Sequence, residues 1–188
     1  PATARRALQT LDLFISRLLA DGGNLPQNFV VTLPKVTSPI ETATLDMALS
    51  KIESNFGIDS GSIKIEFLAE EPLAFIAANG RHALPSIIEA ANGRCRGVHL
   101  GAYDLLSSFG IGSSSQSLGH SFCDYARSVM QFSTAGLGVW LSDGATNEMP
   151  IGNHRGAELT AEQLAENQIQ IRNAWHSHFA NCQRAIEQ

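Results

Sequence analysis

Cysteine is scarce and scattered: Cys95, Cys123 and Cys182 are the only three in 188 residues. Their spacing fits neither a zinc motif nor a disulfide framework. They read as buried free thiols of a reducing compartment, with the cytoplasm as the default location. Long hydrophobic runs are missing too; no stretch reaches the roughly 18 apolar residues that a helical bilayer span needs. Charge is thin, at 16% of residues with a net charge of −5, and there is no basic run, which argues against a nucleic-acid partner. No signal-peptide pattern opens the chain: PATARRALQTLDLF repeats apolar residues at helical spacing, and no cleavage-site pattern follows. There is no internal repeat or low-complexity tract. What is present is 44% hydrophobic content, which suits one soluble globular domain, residues 1–188, with a substantial core.

Along the chain, Ala4, Leu8, Leu11, Ile15, Leu18 and Leu19 form a helical stripe that Asp21-Gly22-Gly23 ends. Residues 28–36 (NFVVTLPKV) read as a strand buried on both faces. Ser38, Pro39 and Glu41 make a strong helix start, with Leu45, Ala48 and Ile52 inward and a stop near Gly57. Strands are expected at 63–70, 94–100 and 136–141. Helices are expected at 84–91, 121–135 and 160–186, the second burying Phe122, Tyr125, Ala126 and Val129 and the last presenting Leu164, Ile171, Trp175, Phe179, Cys182 and Ile186. Strand starts recur roughly every 35 residues, so the chain alternates β and α and predicts a parallel sheet covered by helices. Four strands do not close a barrel. The sheet is either small and open or part of a larger (β/α)8 barrel.

Two acids stand at strand ends. In the 63–70 strand, Ile63, Ile65, Phe67 and Ala69 share one face and Lys64, Glu66, Leu68 and Glu70 the other. In a parallel barrel the inner face carries chemistry near its C-terminal end, where Glu70 lies; Glu66 sits deeper. Asp104 stands just past the 94–100 strand, after Gly101, which allows a sharp turn or a close approach to a ligand. A plainer reading has both acids favouring helix starts through the helix dipole. Glu66 is either a possible further ligand or a buried, paired carboxylate, for which Lys64 or Arg96 is a candidate partner. Lys35, at its strand end, is a salt-bridge partner or, as an alternative, a Schiff-base lysine. His99 reads as a satisfied core histidine, the pair His120 and Asp124 as a helix-start contact, and Ser142 and Asp143 as possible pocket lining.

Three pieces together resemble the HpcH/HpaI aldolase and citrate lyase β-subunit superfamily: Leu33-Pro34-Lys35-Val36, the strand end Ile65-Glu66-Phe67-Leu68-Ala69-Glu70-Glu71-Pro72, and Gly97-Val98-His99-Leu100-Gly101-Ala102-Tyr103-Asp104-Leu105. The segment 129–147 is similar to an aldolase-like branch of it. The resemblance implies a phosphoenolpyruvate/pyruvate-type TIM barrel, here about strands four to seven. It also implies a lyase or aldolase that uses Mg²⁺ or Mn²⁺ on a small keto acid, dicarboxylate or acyl-CoA. Glu70 and Asp104 would be the metal ligands, and the amides around Ala102 and Tyr103 would meet a substrate carboxylate. A homo-oligomer is the expected assembly. Glu71 replaces the family's usual threonine, and its arginine and catalytic base have no counterpart here. A non-catalytic barrel relative that binds a metabolite or a partner is therefore the rival expectation.

Overall fold

In the computed structural model, residues 2–20 and 24–187 are described; the helix stop expected at Asp21-Gly22-Gly23 lies outside them. The elements are α1 (Ala2–Leu19), β1 (Val30–Leu33), α2 (Pro39–Phe56), β2 (Lys64–Ala69), α3 (Pro72–Phe75), α4 (Leu84–Glu89), β3 (Cys95–Leu100), α5 (Ala102–Ser108), α6 (Ser121–Thr134), β4 (Trp140–Ser142) and α7 (Ala161–Glu187). The four strands are all parallel and stand in chain order, β1-β2-β3-β4. A doubly wound sheet reverses its strand order at a switch point; this sheet does not. Right-handed crossovers in one direction lay successive helices on one face and leave the other to a barrel interior.

Burial follows that division. On the helix-covered face Ile65, Phe67, Ala69, Val98 and Leu100 are buried, against Leu49, Ile52, Leu84, Ile87, Ala126 and Met130. Truncating Phe67 to alanine there would cost about 3–5 kcal/mol, transfer plus cavity. The opposite face carries Thr32, Glu66, Leu68, His99, Trp140 and Ser142, and of these only Glu66 is buried. Gly97 lies on this face because the indole of Trp140 fills the space a Cβ would need, 2.7 Å away.

The local code explains most boundaries. The Glu41 carboxylate accepts from the Thr37 and Ser38 amides at 2.7 and 3.1 Å, fixing the start of α2, and left-handed Gly57 (φ 65°) ends it. Thr160 and Gln163 exchange side-chain-to-amide bonds before α7. β1 is shorter than the expected 28–36 because Asn28 (φ 64°) and Lys35 (φ 49°) leave the extended region. β4 begins later than expected because Gly136 and Gly138 have positive φ.

Three helix faces differ from the sequence reading. α6 buries Cys123, Arg127 and Met130 besides Ala126 and Val129, while Phe122 and Tyr125 turn outward; Phe122 stacks on Phe109 instead. Among the described residues of α7 only Ala174 is buried, and Trp175, Phe179 and Ile186 face outward. α2 buries Leu49, Asp46 and Glu53, while Leu45 and Ala48 are half-buried. The two acids of α2 are turned inward by Arg94. Its guanidinium donates to both Glu53 oxygens at 2.6 and 2.8 Å, to Asp46 at 2.5 Å, to Ser50 at 2.8 Å and to the Ile63 carbonyl at 3.0 Å. Burial pushes the Glu53 carboxyl up, but Arg94 and the amides of Ile63 and Gly61 outweigh it and hold the group below its ordinary value.

Candidate functional site

At the C-terminal ends of β2 and β3 the chain brings Glu70, Asp104 and Lys35 together. Glu70 follows β2 by one residue and is buried, and Gly101 lies against it: a Cβ at 101 would sit 2.4 Å from the Glu70 Cβ and 2.7 Å from its Oε2. Glycine is therefore required by close approach, since its φ of −88° suits any residue. Asp104 enters from the first turn of α5, and its carboxyl is a hydrogen-bonded neighbour of Glu70. The Lys35 ammonium lies 2.7 Å from Asp104 Oδ2 and 3.8 Å from Glu71, while the Lys35 amide donates to Glu70 Oε1 at 2.9 Å. The left-handed turn at Lys35 is what aims both its groups at the acids.

The two carboxyls are pushed apart in acidity. Burial and the bond to Asp104 raise Glu70 above its ordinary value. The bond to Lys35, then that to Glu70, lowers Asp104. Neighbouring acids of unequal burial beside one cation are pushed apart in this way. Lys35 itself is raised, first by its bond to Asp104. A Schiff-base lysine needs the opposite shift.

Ala102 and Tyr103 open α5, ahead of its first intrahelical bond from Leu105 to Gly101, so their amides lack helical partners. The Tyr103 hydroxyl reaches away to the Ala145 carbonyl at 2.8 Å. Glu66 pairs with neither Lys64 nor Arg96 as expected; its Oε2 lies 2.7 Å from His99 Nε2, and the other ring nitrogen bonds Ser142 Oγ. The period-2 pattern put Glu66 on the inner face but could not choose its neighbour across the sheet. His99 is thus satisfied but open to the inner face, not part of the core. His120 caps α6 by accepting from the Phe122 amide, and Asp124 pairs with Arg127 and Arg184. Asp143 turns to Arg127 at 2.8 Å. The Glu66–His99–Ser142 chain was missed by sequence reasoning, although 97, 99 and 101 share a strand face and Ser142 was already at a strand end.

Among the described residues no three His, Cys, Asp or Glu side chains cluster as a ready metal cage. Glu70 and Asp104 nonetheless fit a hard divalent cation of the Mg²⁺ kind, which takes one or two protein carboxylates and leaves its other positions to water or substrate.

These features define a class: a run of parallel βα units with acidic residues at the C-terminal mouth of a TIM-type barrel. Within it, the chain belongs to the family described as Domain of unknown function (DUF6986), whose family model matches residues 1–188. No curated protein matches the sequence. Solved structures do match in fold. Malate synthase of Haloferax volcanii, as its lead(II) complex, superposes with a TM-score of 0.61 at 14% identity, covering 90% of this chain and 45% of that one. The same enzyme in its pyruvate/acetyl-CoA ternary complex gives 0.56 at 16% identity, with 90% and 43% covered. A citrate lyase from Burkholderia xenovorans LB400 gives 0.50 at 17% identity, with 64% and 37% covered. The chain spans less than half the length of each of these structures. At these identities the likeness establishes the fold, an α/β arrangement matching part of a TIM-type barrel.

Proposed function

We propose that this chain carries the divalent-metal site of a carbon–carbon lyase or aldolase, with Glu70 and Asp104 as the ligands of Mg²⁺ or Mn²⁺. The observation that carries the reading is the convergence of two acids, 34 residues apart in sequence, on one spot beside a glycine that makes the room. The fold relatives, a malate synthase and a citrate lyase, and the motif resemblance to the HpcH/HpaI superfamily support the same reading. When bound, such an ion supplies Lewis-acid stabilisation of negative charge developing on a substrate oxygen.

The chain's own residues do the rest. To act as ligands both acids must be ionised, and Asp104 must release Lys35. The freed ammonium then stands beside the site as a counter-charge for an anionic substrate. The Ala102 and Tyr103 amides, without helical partners at the start of α5, suit a carboxylate of a small keto acid, a dicarboxylate or an acyl-CoA substrate. The Schiff-base alternative at Lys35 is disfavoured by its ion pairs, which hold the amine protonated. The test is Mn²⁺ titration calorimetry on the wild type, Glu70→Ala and Asp104→Ala. Saturable binding that both variants lose is expected; equal affinity in all three sinks the assignment. Borohydride with pyruvate trapping an adduct at Lys35 would instead support the lysine reading.

A further inference from the structure

The Glu66–His99–Ser142 chain lies on the inner sheet face and takes no part in the metal reading. It crosses three adjacent strands: Glu66 from β2, His99 from β3 and Ser142 from β4, with His99 and Ser142 in direct register. The Glu66 oxygen is 2.7 Å from His99 Nε2, and His99 Nδ1 bonds the Ser142 hydroxyl. Glu66 is buried, His99 about a third open (side chain 30% exposed), and Ser142 exposed at the end of its strand. The gradient runs from a sheltered acid to an accessible hydroxyl.

Chemistry fixes the direction of the bonds. An ionised carboxylate only accepts, so Glu66 takes the Nε2–H. A neutral imidazole has one N–H, so Nδ1 presents its lone pair. Ser142 must then donate to Nδ1. That is the arrangement in which an acid orients a base and the base activates a hydroxyl; such constellations are recognised by geometry and roles, not by order along the chain.

We propose that Ser142 is an acyl-accepting nucleophile, with His99 as its general base and Glu66 as the positioning residue, and that its substrates are activated acyl donors of the ester or thioester class. Ser142 Oγ bonds to the carbonyl carbon while its proton passes to His99 Nδ1. The carbon–oxygen or carbon–sulfur bond to the leaving group breaks, and the leaving group takes that proton as an alcohol or thiol. Water then attacks the acyl-serine, giving one proton to His99, which returns it to Ser142 Oγ as the carboxylic acid departs. No oxidant, reductant or metal enters the balance.

The test uses the chain with p-nitrophenyl acetate, reading nitrophenolate release and, by mass spectrometry of quenched samples, the site of acetylation. Release above the buffer rate is expected in the wild type, insensitive to EDTA and abolished in Ser142→Ala. His99→Gln should slow it about 100-fold, since a positioned general base contributes about 10²–10⁴. Ser142→Cys keeps the relay, and its new thiol should react with iodoacetamide faster than the exposed Cys182 of the same chain. Because Ser142 is exposed, its alanine variant keeps the core, which circular dichroism checks. Equal release in wild type and Ser142→Ala, or acetylation confined to lysines, overturns the proposal. So does a new thiol in Ser142→Cys that reacts no faster than Cys182. None of these outcomes depends on metal binding by Glu70 and Asp104.

Discussion

Two clusters in this chain are built from the same parts, a pair of acids and one cation, and they behave in opposite ways. Beneath the sheet, Arg94 sits between Asp46 and Glu53 with its side chain 3% exposed, and each of its donors has an acceptor. At the strand mouth, Lys35 and Asp104 are each more than half exposed, and the two carboxyls face one another. In the first cluster the planar, five-donor guanidinium matches its acceptors and holds Glu53 below its ordinary pKa. In the second, a single ammonium serves several acids and leaves Glu70 above its ordinary pKa. The saturated cluster is a lock between α2 and the sheet. The unsaturated one has capacity left for an incoming charge.

Breaking the lock should have the largest effect. Arg94→Ala strands two buried acids, and loss of one partner of a buried pair costs about 3–5 kcal/mol, read by denaturant unfolding. The pH dependence shares this origin. Glu53 is depressed in the folded state, so its stabilisation is complete above its ordinary pKa of 4.5 and lost as the pH falls through the lower folded value. Glu53→Gln should flatten that acid limb.

Gly101→Ala tests the mouth. Its methyl would press into Glu70, at a cost of about 1–3 kcal/mol for overpacking, and should displace the acid and weaken Mn²⁺ binding. Glu70→Gln should change stability much less than Arg94→Ala yet abolish Mn²⁺ binding, a split that calorimetry and unfolding measure side by side. The sign with pH is opposite to that of Glu53. Glu70 is raised, so its ionisation opposes folding as the pH climbs from 4.5 through its folded value, and Mn²⁺ affinity should rise over the same interval. The smallest effect on stability belongs to Lys35→Met. An exposed ion pair contributes little, so Tm should hold while Mn²⁺ binds more tightly. Weaker binding in this variant would mean that Lys35 is an ally of the ion and not its competitor.

Much of the architecture was legible. Ser38, Pro39, Glu41 and Gly57 bracket α2 as capping chemistry requires, and alternation along 63–70 separated the helix-facing residues from the inner ones. Gly101 was read as allowing a sharp turn or a close approach to a ligand; what lies against it is the Glu70 side chain. Helix faces were read less well. Phe122 and Tyr125 were grouped with Ala126 and Val129 on one apolar face by helical spacing, whereas Arg127 occupies the buried side because Asp143 and the Leu118 carbonyl are there to receive it. The same holds for Asp46 and Glu53, two acids buried only because Arg94 reaches them from another element.

The sequence by itself determined the alternation of strands and main helices, the caps of α2 and α7, and which side of the 63–70 strand looks inward, because these depend on neighbours within a few positions. Only the tertiary structure decided that the strands stand in unreversed order, that Lys35 lies on Asp104, and that Glu66 answers to His99 and not to Lys64. Partnership between side chains tens of residues apart is set by register across the sheet, and no local pattern encodes that.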